Sequence, residues 1–351
     1  MLDTMMALVY NGEGRLALQE RAIPKIQEPR DAIVQVTRST ICTSDLHIQH
    51  GAVPRALPDT VLGHEFVGKI VSLGSALSGL KVGQRVAANC ITFCGNCDFC
   101  RQGFINNCRQ GGWELGCRID GCQAEYVRVP FADSGLTPIP DSVTDEAALF
   151  LGDILASGYF GAELCEIRPG DTVAVLGAGP VGLCAMMCAA LFGAARIIGI
   201  EPLAYRRNIA LTKGLADLML DPTKENVKEI IGQLTAGRGA DAVIEAAGGK
   251  DTFQTAWQIA RPNSIVALVA MYEEEQCLPL PHMYGKNLIF KTGGVDAVHG
   301  ERLMSLIAQG KLNTDCLISR RSPLNDILEA YQIFAARQEP ILKWVVTPYV
   351  R

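Results

Sequence analysis

Two patterns of apolar and polar positions divide this chain. From Met5 to about Pro140 the apolar runs are short and broken by Gly and Pro, as at residues 32–36, 66–73, 85–88 and 124–129. Such runs, bounded by turn residues, predict a β-rich region. After Ser142 the period changes. Residues 146–160 repeat their apolar positions at helical spacing, and apolar strands then alternate with helices. The strands are expected at 172–177, 196–201, 241–246 and 264–270, and the helices at 181–192, 226–234 and 252–259. That alternation predicts a parallel sheet covered on both faces. Beyond about Lys291, a helix at 301–309 and a final apolar strand at 342–347 leave the pattern.

The 351 residues suffice for about two domains at ~150 residues each. Hydrophobic residues make up 48% and charged residues 20%, so each domain can bury a core, and disordered or collagen-like classes are excluded. The net charge of −5 and the lack of a long basic run argue against nucleic acid or an anionic membrane as partner. Residues 172–195 are uncharged and long enough to mimic a ~20-residue membrane span. Gly177, Gly179, Pro180 and Gly182 near their start instead predict a buried strand, a tight turn and a buried helix. With no basic segment before an apolar stretch at the N-terminus, a cytoplasmic location is expected.

The turn carries chemistry. Gly177-Ala178-Gly179-Pro180-Val181-Gly182 ends a strand and opens a helix, the arrangement that lets backbone approach a pyrophosphate and offers it free N–H groups. Glu201 closes the next strand, where a carboxylate accepts hydrogen bonds from a ribose and repels a 2′-phosphate. Arg206 and Arg207 follow and offer positive charge to a phosphate. NAD is therefore expected in preference to NADP.

Thirteen cysteines, an odd number, argue for thiolates used in a reducing compartment rather than a disulfide framework. Cys94, Cys97, Cys100 and Cys108 stand at spacings of three, three and eight, suited to a closed tetrahedral zinc site that holds a loop. An iron–sulfur cluster uses the same number of thiolates and stays open as an alternative. Cys117 and Cys122 fall outside the spacing and are expected in apolar packing.

A third group becomes visible when distant stretches are read together: Cys42-Thr43-Ser44-Asp45-Leu46-His47, then Gly63-His64-Glu65, then Asp153. In this order, with the cysteine lobe and the glycine turn, these motifs resemble the zinc-dependent medium-chain alcohol dehydrogenases over nearly the whole chain. The resemblance implies an α/β fold in two parts. One is a chaperonin-10-like, β-rich catalytic domain from residues 1–152 and 292–351. The other is a doubly wound, Rossmann coenzyme domain from 153–291, with the active site in the cleft. It also implies two Zn²⁺ per chain and a dimer or homotetramer joined through strand edges near residues 264–288.

Carried over by position, Cys42 and His64 match the catalytic zinc ligands, and Asp153 stands where a secondary-alcohol or formaldehyde dehydrogenase branch has its third. Glu65 matches a residue able to become a fourth ligand. Ser44 matches the hydroxyl that takes the substrate proton, and His47 the base behind it. A thiolate, an imidazole and a carboxylate leave catalytic zinc an open position. An alcohol bound there is acidified to an alkoxide that delivers hydride to the nicotinamide. The expected activity is therefore NAD-linked interconversion of a small alcohol or polyol with its aldehyde or ketone. A zinc-free enone or quinone reductase of the same superfamily, and a non-catalytic NAD sensor with only a structural zinc, remain as rivals. Two stretches depart from the branch: Phe160 replaces a usual histidine, and Cys122-Gln123 replaces part of a usually glycine-rich stretch.

Overall fold

The computed structural model describes residues 3–348. The chain forms two compact units, one from the described residues up to Ala156 together with those from Asp296 onward, the other from Ser157–Val295. The boundaries expected at 152/153 and 291/292 thus fall at 156/157 and 295/296, and Asp153 belongs with Cys42 and His64 in the first unit.

The first unit is built on a seven-stranded mixed sheet. Its spatial order is Ile318–Pro323, Lys343–Thr347, Ala32–Ile41, Phe66–Leu73, Arg85–Ala88 and Leu136–Pro138, and Tyr126–Val129 also pairs with Ala32–Ile41. A smaller sheet joins Leu16–Ala22, Thr4–Tyr10 and Thr60–Val61. The last strand runs antiparallel to the end of Ala32–Ile41, with Trp344 opposite Ile41 and Val346 opposite Ser39. That pairing brings residue 343 beside residue 42 although 300 residues separate them in sequence. Alternate residues of these strands fill two apolar cores, one around Ile41, Leu62, Ile327 and Val346, the other around Val34, Phe66, Ile70 and Val86. Cys117 packs in the first and Cys122 in the second.

The second unit is a six-stranded, wholly parallel sheet in the order Leu218–Leu220, Arg196–Ile200, Thr172–Leu176, Ala240–Glu245, Ala260–Leu268, Ile289–Thr292. The direction of succession reverses between Thr172–Leu176 and Ala240–Glu245, the point at which open α/β sheets bind ligands. The apolar run at 172–195 resolves into strand, turn and the helix Pro180–Leu191, whose residues 182–189 are buried on every side. Among the described residues one helical run, Asp145–Leu164, is long and apolar enough to cross a bilayer, and it is mostly buried inside the protein.

The strands Leu218–Leu220 and Ile289–Thr292 and the helix Ala204–Thr212 were not expected, and two expected elements take another form. The strand expected at 264–270 runs Ala260–Leu268, starting four residues earlier across a register irregularity opposite Ala240–Ala242. The helix expected at 146–160 is interrupted. Asp145–Ala148 and Ala156–Leu164 are α-helical, but Leu151–Leu155 forms a wider π-helical turn. The backbone passes close to a neighbouring strand in this turn: a Cβ on Gly152 would lie 1.9 Å from the carbonyl oxygen of Ala88. Such wide turns mark functional positions, and this one carries Asp153.

Candidate active site and metal centres

Cys42 stands where Ala32–Ile41 ends and the short helix Thr43–Gln49 begins, so its extended backbone caps the helix. Its N–H donates to Asp45 Oδ2 at 2.9 Å, which turns the buried Asp45 back toward the start of the helix. His64 precedes the strand Phe66–Leu73. Gly63 before it has φ +95°, and a Cβ there would meet Gln123 at 2.7 Å, so only glycine lets the chain turn so close to that residue. Asp153 arrives on the π-helical turn.

These three stretches converge. One ligand atom each from Cys42, His64, Glu65 and Asp153 lies within 4.8 Å of the others. His64 Nε2 is 3.3 Å from Asp153 Oδ2, Cys42 Sγ is 3.8 Å from the same oxygen, and Ser44 Oγ is 3.2 Å from His64 Nε2. His64 Nδ1 faces the other way, 3.4 Å from Asp45 Oδ1, and neither atom has another partner. This arrangement fits a metal: Nε2 is aimed at a sulfur and a carboxylate, and Nδ1 at an acceptor that can orient the ring. His47 follows Ser44 by one turn of the same helix and is half-buried.

Burial and opposing charges shift the groups gathered here. Burial opposes charge on His64, yet the carboxylates of Asp45 and Asp153 outweigh it and hold its pKa well above the ordinary value. Burial raises Asp153, and its hydrogen bond and attraction to His64 pull it below the usual range. Burial pushes the Glu65 carboxyl up to about 7, against the opposing charge of Lys343.

Lys343 is the residue the sequence hid. It is fully buried, its Nζ contacts Glu65 Oε2, and Glu65 Oε1 has no partner. Burial disfavours its charge, but Cys42, Glu65 and Asp153 hold it protonated. The one signal in the sequence is a lysine opening a strand whose next three residues, Trp344, Val345 and Val346, are buried and apolar. Three further neighbours were missed. Cys90 is buried against Asp153, and burial, then the Asp153 charge, raises its thiol well above the ordinary range. Trp113 meets the His64 ring edge-on at 5.7 Å. Gln123 donates to Asp45 Oδ2 at 3.1 Å.

The cysteine lobe forms a second donor set. Cys94, Cys97, Cys100 and Cys108 bring their sulfurs within 4.8 Å of one another, with Cys97 Sγ to Cys100 Sγ at 3.4 Å. The N–H of Cys94 donates to Cys108 Sγ at 3.3 Å. Backbone N–H groups of Arg109 and Cys100 lower the Cys97 thiol to about 6, while burial raises that of Cys100 to about 12. Four sulfurs around one point, supported by amide donors, suit a closed metal site with no position for substrate.

In the second unit, Gly177 turns at φ +90°, and a Cβ on Gly182 would lie 2.0 Å from the carbonyl oxygen of Gly177. Gly179 caps the helix, Pro180 occupies its first turn, and a Cβ on Gly179 would meet nothing closer than Arg206 at 3.6 Å. Val181 and Gly182 stand in the first helical turn, whose N–H groups lack intrahelical partners. Glu201 is buried and braces this turn: its carboxylate accepts from Ala178 N–H at 2.8 Å and Leu203 N–H at 2.9 Å. Arg206 lies 3.7 Å from that carboxylate, while Arg207 is tied to Asp221 at 3.1 Å.

A β-rich unit holding two metal-ligand sets, with a second unit of doubly wound dinucleotide type, is the architecture of medium-chain dehydrogenases. Comparison with known proteins agrees. Residues 28–141 match the alcohol dehydrogenase GroES-like domain, and residues 180–295 match the zinc-binding dehydrogenase domain. An alcohol dehydrogenase of Cupriavidus necator is 38% identical, covering 99% of this chain and all of its own. An NADP-dependent isopropanol dehydrogenase of Entamoeba histolytica is 34% identical over 98% of this chain and 96% of its own. The solved structure of alcohol dehydrogenase TADH from Thermus sp. ATN1 superposes with a TM-score of 0.90 at 34% identity, covering 98% of this chain and 99% of that one. The chain belongs to the zinc-dependent medium-chain alcohol dehydrogenase family and is an oxidoreductase of that zinc type.

Proposed function

We propose that this enzyme interconverts a small alcohol or polyol with its aldehyde or ketone, using NAD(H), at a site held by Cys42, His64 and Asp153. The observation that supports this most is the convergence of a thiol, an imidazole nitrogen and a carboxylate from three distant stretches beside one hydroxyl, Ser44. Zinc bound there supplies a Lewis acid that makes an alcohol oxygen acidic, and bound nicotinamide supplies the hydride acceptor.

The chain's own groups do the rest. Cys42 Sγ, His64 Nε2 and Asp153 would hold the ion, and Glu65, with an unpartnered Oε1, stands as a fourth ligand. Lys343 balances the negative charge that these residues concentrate in a buried volume. Ser44 accepts the substrate proton and His47, one turn on, carries it toward solvent. The four cysteines hold a second zinc that keeps their loop folded. Gly177, Gly179, Pro180, Val181 and Gly182 form the pyrophosphate cradle. Glu201 favours NAD, since a 2′-phosphate would meet its carboxylate, although Arg206 stands 3.7 Å away and the Entamoeba relative uses NADP.

The enzyme works as a homo-oligomer in this reading, and the exposed apolar residues Leu278, Leu280, Tyr284 and Ile289 near the sheet-edge strand Ile289–Thr292 support it. A panel of short alcohols, polyols and carbonyls, followed at the NADH absorbance with zinc present, tests the activity. Asp153→Asn should stay folded and lose turnover by orders of magnitude, and full turnover in that variant would refute the assignment.

A further inference from the structure

The buried Asp45 carboxylate faces His64 with one oxygen, and what holds its other oxygen is a pair of neutral donors. Oδ2 accepts from Cys42 N–H at 2.9 Å and from Gln123 Nε2 at 3.1 Å, which leaves Oδ1 aimed at His64 Nδ1. Gln123 is itself fully buried, and its amide can stand only one way round. Nε2 also donates to the Thr40 carbonyl at 3.2 Å, so rotating the amide would set its oxygen against two acceptors. Tyr331, buried on the helix Ile327–Ala336, fixes that choice by donating its hydroxyl to Gln123 Oε1 at 2.8 Å. Four separate stretches therefore end in one continuous polar path, Tyr331 to Gln123 to Asp45 to His64, inside an apolar core.

We propose that Gln123 and Tyr331 are positioning residues that fix the Asp45 carboxylate, and through it the tautomer and orientation of His64, and so set the affinity of the Cys42–His64–Asp153 site for its metal. The inference rests on the reading of that set as a metal site. A carboxylate that accepts the second ring proton of a ligating histidine governs its basicity and aim, and loss of such support costs about 10- to 100-fold in metal affinity. Gln123 adds the geometric lock: with Tyr331 donating, its N–H groups must face Asp45 and Thr40.

The test uses the full-length protein loaded with Zn²⁺, and separately with Co²⁺, titrated against a chelator while metal content and the Co²⁺ visible spectrum are recorded. Gln123→Met should weaken the more labile ion about 10- to 100-fold and shift its Co²⁺ bands, leaving the four-cysteine ion in place. Tyr331→Phe, the milder change, should move both readouts in the same direction by less. Unchanged affinity and spectrum in both variants would overturn the proposal, as would parallel weakening of the two ions, which marks a general loss of stability. A wild-type protein that binds only one ion, with Cys42→Ala making no difference, would instead refute the reading of the metal site on which the proposal depends.

Discussion

Gly152→Ala should cripple the enzyme without touching any ligand. The Cβ would sit 1.9 Å from the Ala88 carbonyl oxygen, whereas real Cβ contacts essentially never fall under 3.0 Å, so two backbones must part by at least about 1.1 Å. Neither side can yield by rotating a side chain. Ala88 ends the strand Arg85–Ala88, which is anchored on both edges, and Gly152 lies in the π-helical turn whose next residue is Asp153. The displacement is therefore passed to the Asp153 carboxylate. A misplacement of ~1 Å at a reacting centre costs roughly 100-fold in rate. The assay is kcat for alcohol oxidation with metal content measured on the same sample. Gly79→Ala, where a Cβ meets nothing within 4 Å, serves as the control and should behave as wild type. Wild-type turnover and metal content in Gly152→Ala would refute the argument that the π-helical turn is what aims Asp153.

Lys343→Met should destabilise the first unit by about 3–5 kcal/mol, because Glu65 would be left buried and unpaired. Glu65→Gln added to it should recover most of the loss in denaturant unfolding, and additive losses would contradict the pairing. Arg321 holds the Glu146 carboxyl below its ordinary value of 4.5, so the stability it contributes is present above that pH and is lost as the pH falls through the lower folded value. With Arg321 more than half exposed, Glu146→Gln should cost only ~0.5 kcal/mol at neutral pH, with the difference from wild type vanishing in acid. Glu201→Ala should raise KM for NAD and bring NADP kinetics closer to it, since the carboxylate that opposes a 2′-phosphate is gone while Arg206 remains; an unchanged ratio of the two would count against Glu201 as discriminator.

Much of this site was legible in the sequence for physical reasons that operate locally. The four cysteines sit on one loop, so metal-ligand chemistry fixes their spacing, and the glycine turn joins a strand to a helix within six residues. Cys42 and His64 stood out only as members of a set, and Asp153 only through resemblance, because an aspartate in an apolar helical run reads as a cap or a surface charge. The widening of the helix at Leu151–Leu155 left no periodic trace, and the Ala88 carbonyl that the turn packs against lies 64 residues away. Lys343 was invisible for the same reason: its partner Glu65 is set by an antiparallel pairing of the chain's last strand with Ala32–Ile41. Gln123 was noticed as a departure without a role, and its role needs Tyr331, which nothing nearby in sequence predicts.

The most direct test of the account is the number of zinc ions per chain, counted by elemental analysis on purified wild type, Cys42→Ala and Cys97→Ser. Two ions in wild type and one in Cys42→Ala, that variant folded but inactive, are predicted, with Cys97→Ser losing folded yield along with its ion. One ion in wild type, or two retained by Cys42→Ala with activity intact, would contradict it.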